Sequence, residues 1–272
     1  MSIGQIKEPK LEVKSATDPR PEVVPRTLVN VVVQNTFKEL ALTGALNPRR
    51  VIVATEKCNV CHGALGTTLG SNTLAEAFHG GARNIVEACV VCHDPNRASS
   101  TIMTNGLSFN ESYQFKRMIH GIHGNSKRTY PFTHGNAVVD AFNKDGTSMT
   151  GGPPLAADVV NYAAEVAWPG VGINCNACHV NNSYKSDQGP LGAVITKPAG
   201  VTDPMQWLVI SPKAASCTAC HDSPKAMGHV TSFGNASFGN RTQAQSMQTQ
   251  ETCNDCHAPG GFKGVDLVHG QK

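Results

Sequence analysis

Ten cysteines fall into five pairs of one spacing, and a histidine follows the second member of every pair. The five segments are CNVCH (Cys58, Cys61, His62), CVVCH (Cys89, Cys92, His93), CNACH (Cys175, Cys178, His179), CTACH (Cys217, Cys220, His221) and CNDCH (Cys253, Cys256, His257). No cysteine is left over for a disulfide. A lone C-x-x-C serves as a redox dithiol or as half of a zinc site. Zinc would use the thiols but does not require an imidazole behind each pair. Histidine supplies 11 of the 272 residues, so five such placements by chance have odds of about one in ten million on that frequency. Five redox dithiols with no βαβ context make no plausible design. C-x-x-C-H is the attachment signal for c-type haem. Positions i and i+3 share one face of a helical turn, so both thiols reach the two vinyl groups on one porphyrin edge. The adjacent imidazole then swings under the ring to bind iron. Five haem c groups are the expected cofactors.

Six further histidines remain: His79, His120, His123, His134, His229 and His269. Five haems need five more axial ligands if every iron is six-coordinate. His79 is expected at the end of a short helix stopped by Gly80 and Gly81. His120 and His123 lie three apart on a helix expected from Ser108 or Asn110 to Gly124, where they would serve two different haems. His229 sits in MGHVTSFGN and His269 in VDLVHG. His134, after a proline-containing loop, is the chosen spare. Met103, Met118 and Met227 are alternative ligands, although methionine is more often a packing residue.

The elements that position these groups are short. Residues 1–50 carry no haem signal; Arg26–Gln34 reads as a strand and Arg49–Glu56 as a second. Two motifs are followed by a long gap and then three more. The gap holds the His120/His123 helix, the loop NKDGTSMTGGPP and an expected helix over Leu155–Val166, preceded by two prolines. Aromatic content is only 6%, and few stretches keep a clean helical or strand period. Five flat apolar porphyrins would supply the missing packing surface. The expected fold is a multihaem cytochrome c of irregular loops and short α-helices wrapped around five haems, with a small N-terminal β segment. Residues 1–50 form an arm or the remnant of a preceding β domain, and 51–272 a pentahaem domain.

The formal charge of +3 is too small, and too evenly spread, for nucleic-acid binding. Two propionates and a ferric core of +1 per haem would bring it to about −2. No run of about 18 apolar residues marks a membrane span. The N-terminus lacks the apolar stretch of a secretory signal. Haem c is attached outside the cytoplasm, so the chain is expected to be exported, with its leader removed.

Several phrases together resemble one family: RRVIVATEKCNVCHGALG, FHGGARNIVEACVVCHDPNRAS, FKRMIHGIHG, WPGVGINCNACHV, MGHVTSFG and CNDCHAPGGFKGVDLVHG. From about residue 49 to the C-terminus the chain is similar to the OmcA/MtrC outer-membrane multihaem cytochromes of metal-reducing bacteria. Members are typically decahaem proteins in which two pentahaem domains alternate with two β-barrel-like domains, and every haem is bis-His. By that resemblance this chain is like the last pentahaem domain, and residues 1–50 are like the tail of the preceding β domain. His79, His120, His123, His229 and His269 match the distal positions, and His134 does not. The chain departs from the family in carrying half the usual haem motifs and no lipid-anchor cysteine.

The resemblance implies an electron carrier at the cell surface or in the periplasm rather than an enzyme. Its implied partners are other multihaem cytochromes and, outside the cell, metal oxides, metal chelates or flavins. A reductase with one open haem is the first alternative; its marker, C-x-x-C-K, does not occur. A subunit of a cytochrome filament, joined by strand addition through residues 1–50, is the second.

Overall fold

A chain rich in glycine and proline builds short elements. The computed structural model describes residues 37–62, 64–66, 78–81, 83–98, 111–134, 143, 145–149, 151–156, 160–162 and 173–271. Two compact units result, one of residues 1–50 and 54–89 and one of residues 51–53 and 90–272.

In the first unit, α1 (Thr55–His62) ends on the first motif. Its first residue, Thr55, is buried, and the Thr55 hydroxyl accepts the Val86 N–H at 3.0 Å. Val86 opens α2 (Val86–Cys92), so this bond ties together the starts of the first two motif-bearing helices. A 3-10 turn, Phe78–Gly81, carries His79.

In the second unit, α3 (Phe115–His123) precedes a two-residue strand β1 (Thr133–His134), which pairs antiparallel with β2 (Val160–Asn161). Three further strands, β3 (Ala193–Thr196), β4 (Leu208–Ile210) and β5 (Phe238–Thr242), form an antiparallel sheet in that order. Alternating side chains place the two halves of the core on opposite faces. Ala193, Ile195 and Ile210 pack with Ala214, Ala215 and Ala236; Val194 and Val209 pack with Ala98 and Trp207. Buried Gln243 adds a strand-like pair of bonds, its amide bridging the Gly192 N–H and C=O at 2.9 and 3.2 Å. Among the described residues, the short helices α4 (Pro212–Cys217), α5 (Pro224–Ser232), α6 (Gln243–Met247) and α7 (Asn254–His257) belong to the same unit, and a fifth, α8 (Val265–Val268), leads into His269. Among the described residues no helix is long and apolar enough to cross a membrane.

Three sequence expectations change. Arg49–Glu56 is not a strand. It keeps one isolated bridge, Val53 to His179, and turns helical at Thr55, because the first motif needs a helical turn immediately downstream. The helix expected from Ser108 or Asn110 starts only at Phe115. Ser112 bridges to Ala98 and its hydroxyl accepts the Gln114 N–H, while Glu111 is drawn into buried ion pairs, so this stretch stays extended. Within Leu155–Val166, Val160 and Asn161 pair as β2 and the Tyr162 N–H bonds to the Phe132 carbonyl; pairing with β1 overrides helix propensity. The strand expected over Arg26–Gln34 lies outside the described residues, as does the helix expected before Phe78.

The helix α4, which ends on Cys217, is capped by a distant side chain. Buried Glu251 accepts the Lys213 and Ala214 N–H groups at 2.7 and 2.9 Å and the Ser211 hydroxyl at 2.6 Å. Glu251→Ala strands these buried donors. It should lower the stability of the haem-loaded protein to denaturant by about 2 kcal/mol or more, with Glu251→Gln losing less.

Candidate haem-binding sites

The third, fourth and fifth motifs close into the same turn. The N–H of His179, His221 and His257 bonds to the carbonyl of Cys175, Cys217 and Cys253 respectively, each at 2.9 Å. The first motif completes α1, and the second completes α2 with His93 just beyond. None of the ten cysteines is joined in a disulfide, and this geometry sets each thiol pair on one side of its turn.

Three motif histidines face a non-motif histidine. The His120 and His179 ring centroids stand 6.1 Å apart with planes at 21°. His221 faces His269 at 6.0 Å and 44°. His229 faces His257 at 6.1 Å and 82°. Two metal–imidazole bonds of about 2 Å each, plus the ring radii, put the centroids of two axial ligands about 6 Å apart. These spacings therefore fit one iron between each pair of rings. The pairing is crossed: His229, which follows the fourth motif, faces the fifth, and His269, which follows the fifth, faces the fourth.

The proton inventory also suits iron binding. A ring Nδ1 opposite a carbonyl must donate, which leaves Nε2 as the free lone pair. His93, His123, His257 and His269 donate in this way to Tyr113, Ile119, Lys263 and Val265 at 2.8–3.0 Å. The His179 Nδ1 donates to the Ser183 hydroxyl at 3.1 Å, whose own proton goes to the Ile52 carbonyl. His120 differs, since its buried Nδ1 has no hydrogen-bond partner. Burial first, then the nearby His179, Lys116 and His123, hold His120 down to about 4. Burial lowers His179 and His221 as well. Each is thereby kept neutral, the form that binds a metal.

Large apolar side chains crowd the same places. Val60 (83% exposed) and Val91 lie inside the first and second motifs, Phe78 lies beside His79, Phe233 (74%) contacts the His229 ring, and Leu267 and Val268 precede His269. An apolar plate the size of a porphyrin would cover such residues, so the cradle fits haem. A structural zinc site needs four ligands, whereas no three His, Cys, Asp or Glu side chains converge among the described residues.

The His62 ring lies 6.0 Å from Phe78, the neighbour of His79, and the His93 ring lies 6.1 Å from Tyr113. His79 adopts a left-handed backbone, φ 51°, which is uncommon for a residue other than glycine or asparagine. His134 lies in β1. Met118 lies in α3 and Met227 in α5, and Met103 is outside the described residues. Sequence reasoning missed Ser183, which orients His179, and Gln271. The Gln271 side chain accepts the Cys175 N–H at 3.2 Å and donates to the Ile173 and His269 carbonyls, joining the third motif to the segment bearing His269. Neither residue carries a local signal.

Residues 50–270 match the family described as outer membrane cytochrome MtrC/MtrF-like, domains II/IV. Among solved structures, the chain is similar to the crystal structure of MtrC from Shewanella baltica OS185, at 21% identity and a TM-score of 0.39, over 79% of this chain and 28% of that one. The chain thus spans well under half of that protein's length. No curated protein matches.

Helix α3 and the fourth motif meet at Gly124. Its backbone (φ −84°, ψ 1°) is open to any residue, but a Cβ there would overlap the Cys220 sulfur and come within 2.6 Å of the His120 carbonyl. Gly124→Ala should therefore yield chains lacking the haem at Cys217–Cys220, read as a deficit of one haem mass in the intact protein. Gly228→Ala, on α5 with open space around it, should load fully and gain slightly in helix stability.

Proposed function

This chain belongs to the MtrC/MtrF-like family of outer membrane cytochromes, and from that membership we propose that it carries single electrons along five closely packed c-type haems, each ligated by two histidines. The carrying observation is that three imidazole pairs each join one motif histidine to one non-motif histidine, at 6.0–6.1 Å. The four remaining ligands sort by unit: His62 and His79 fall in the first, His93 and His123 in the second. Bound haem supplies an iron that takes up and releases one electron.

The chain's own part is to fill both axial positions, so that no coordination place is left for a substrate. Carbonyl-bound Nδ1–H groups hold the rings of His93, His123, His257 and His269 in place, and no proton has to move for an electron to pass. The protein is on this reading a carrier and not a site-specific enzyme. It acts after export, at the cell surface or in the periplasm. Its donors are other multihaem cytochromes, and its acceptors are metal oxides, metal chelates or flavins. The wrapping of loops and short helices around five haems explains why so few side chains form the core.

Reductive titration should take up five electrons per chain, and a soluble ferric chelate should reoxidise the product. The reduced protein should not bind carbon monoxide, whereas His120→Ala, His229→Ala and His269→Ala should each create one binding site. Carbon monoxide binding by the unaltered protein, or uptake of fewer than five electrons, would contradict the proposal.

A further inference from the structure

One motif turn has charge buried behind it. Thr218 and Ala219, the residues between Cys217 and Cys220, offer their carbonyls to Arg128 Nη1 at 3.4 and 2.7 Å. Arg117 Nη1 donates to the Thr218 hydroxyl at 3.0 Å and to the Ala215 carbonyl at 3.5 Å. Both guanidinium groups share Glu111. Arg117 reaches it through Nε and Nη2 at 2.5 and 2.9 Å, and Arg128 through Nη2 at 3.1 Å. Asp222, directly after His221, lies 3.4 Å from Arg128 Nη2 and accepts the Thr129 and Tyr130 N–H groups at 2.6 and 2.9 Å. The side chains of Glu111, Arg117 and Arg128 are 0–2% exposed. Among the described residues these are the only buried guanidinium groups.

Such a cluster is a poor way to stabilise a fold, because desolvating four charges offsets most of what their attraction returns. What it does provide is fixed charge in a medium of low dielectric, where each charge acts strongly on its neighbours. The formal charges cancel, two cations against two carboxylates. The arrangement is not symmetric, however. The guanidinium groups touch the motif backbone, and Glu111 stands behind them.

We propose that Arg117 and Arg128 are positioning residues that hold the Cys217–Cys220 turn in its attachment geometry, and that their charge, balanced by Glu111, sets the redox potential of the haem iron bound by His221. This rests on the reading of His221 as an iron ligand. A cation beside the turn favours the reduced, less positive iron; a carboxylate behind it disfavours that state.

The test is a redox titration of the haem-loaded full chain followed by NMR, with the haem methyl signals assigned through their contacts to Cys217 and Cys220. Arg128→Gln should lower the potential of that haem, and Glu111→Gln should raise it. Arg128→Lys keeps the charge but loses the fork that spans carbonyl and carboxylate. It should leave the potential near its original value while lowering the unfolding temperature. A purely structural cluster would not give shifts of opposite sign. Five low-spin haems with unshifted potentials, or with shifts of one sign in both glutamine variants, would overturn the inference and leave the electron-carrier reading standing. Should Glu111→Gln not fold, the contrast between Arg128→Gln and Arg128→Lys decides, and equal shifts in the two would overturn the inference. Missing haems or high-spin iron in the unaltered protein would instead strike the carrier reading itself.

Discussion

Two imidazole rings facing each other across about 6 Å make up the constraint to which the second unit is built. One ring of each pair is fixed by its position behind two cysteines. The other comes from a distant element and must arrive at the opposite face. Because the fourth and fifth sites exchange partners, neither can be completed without the segment that follows the other. His120 reaches the third site from α3, well upstream. With an iron held between the rings, as proposed, each pair would close a long loop, and the entropy of closing it grows only slowly with length. A chain of short elements can therefore be held in one arrangement by a few strong, non-local links.

The rest of the structure keeps the two halves of each pair in place. The three-stranded sheet, buried on both faces, supports α4 and with it Cys217. Glu251 fixes the start of that helix, and Gly124 lets α3 approach the Cys220 sulfur. Gln271 links the third motif to the His269 segment. Asp266, in α8, is lowered to about 2 by the Gly260 N–H and by Lys185, a contact that joins the same two regions. The exposed apolar residues around the motifs would, on the proposed reading, pack against the cofactor rather than against another side chain.

The five C-x-x-C-H motifs are legible in the sequence because the chemistry they point to is local. Two thiols and an imidazole within five positions require one helical turn, and the third, fourth and fifth motifs close it with the same bond. The supply of further histidines is legible as a count. Their pairing is not, since it depends on which faces the tertiary structure brings together; His229 follows His221 closely yet faces His257. The late start of α3 was hidden for a similar reason. Glu111 reads as part of a helix until its partners Arg117 and Arg128 are seen, and the Arg128 contacts with Thr218 and Ala219 lie far along the chain. Val160 and Asn161 likewise become a strand only because β1 is there to pair with them.

Low-temperature EPR of the fully oxidised protein, with haem quantified on the same sample, tests the central claim most directly. Axial imidazole planes control the splitting of the iron d orbitals, so ring orientation is read in the g values. The account predicts five haems per chain and only low-spin ferric signals. The near-parallel pair, His120 with His179 at 21°, should give a rhombic spectrum. The near-perpendicular pair, His229 with His257 at 82°, should give a strongly anisotropic one. A high-spin signal amounting to one haem per chain would show an iron with an open position and contradict the account.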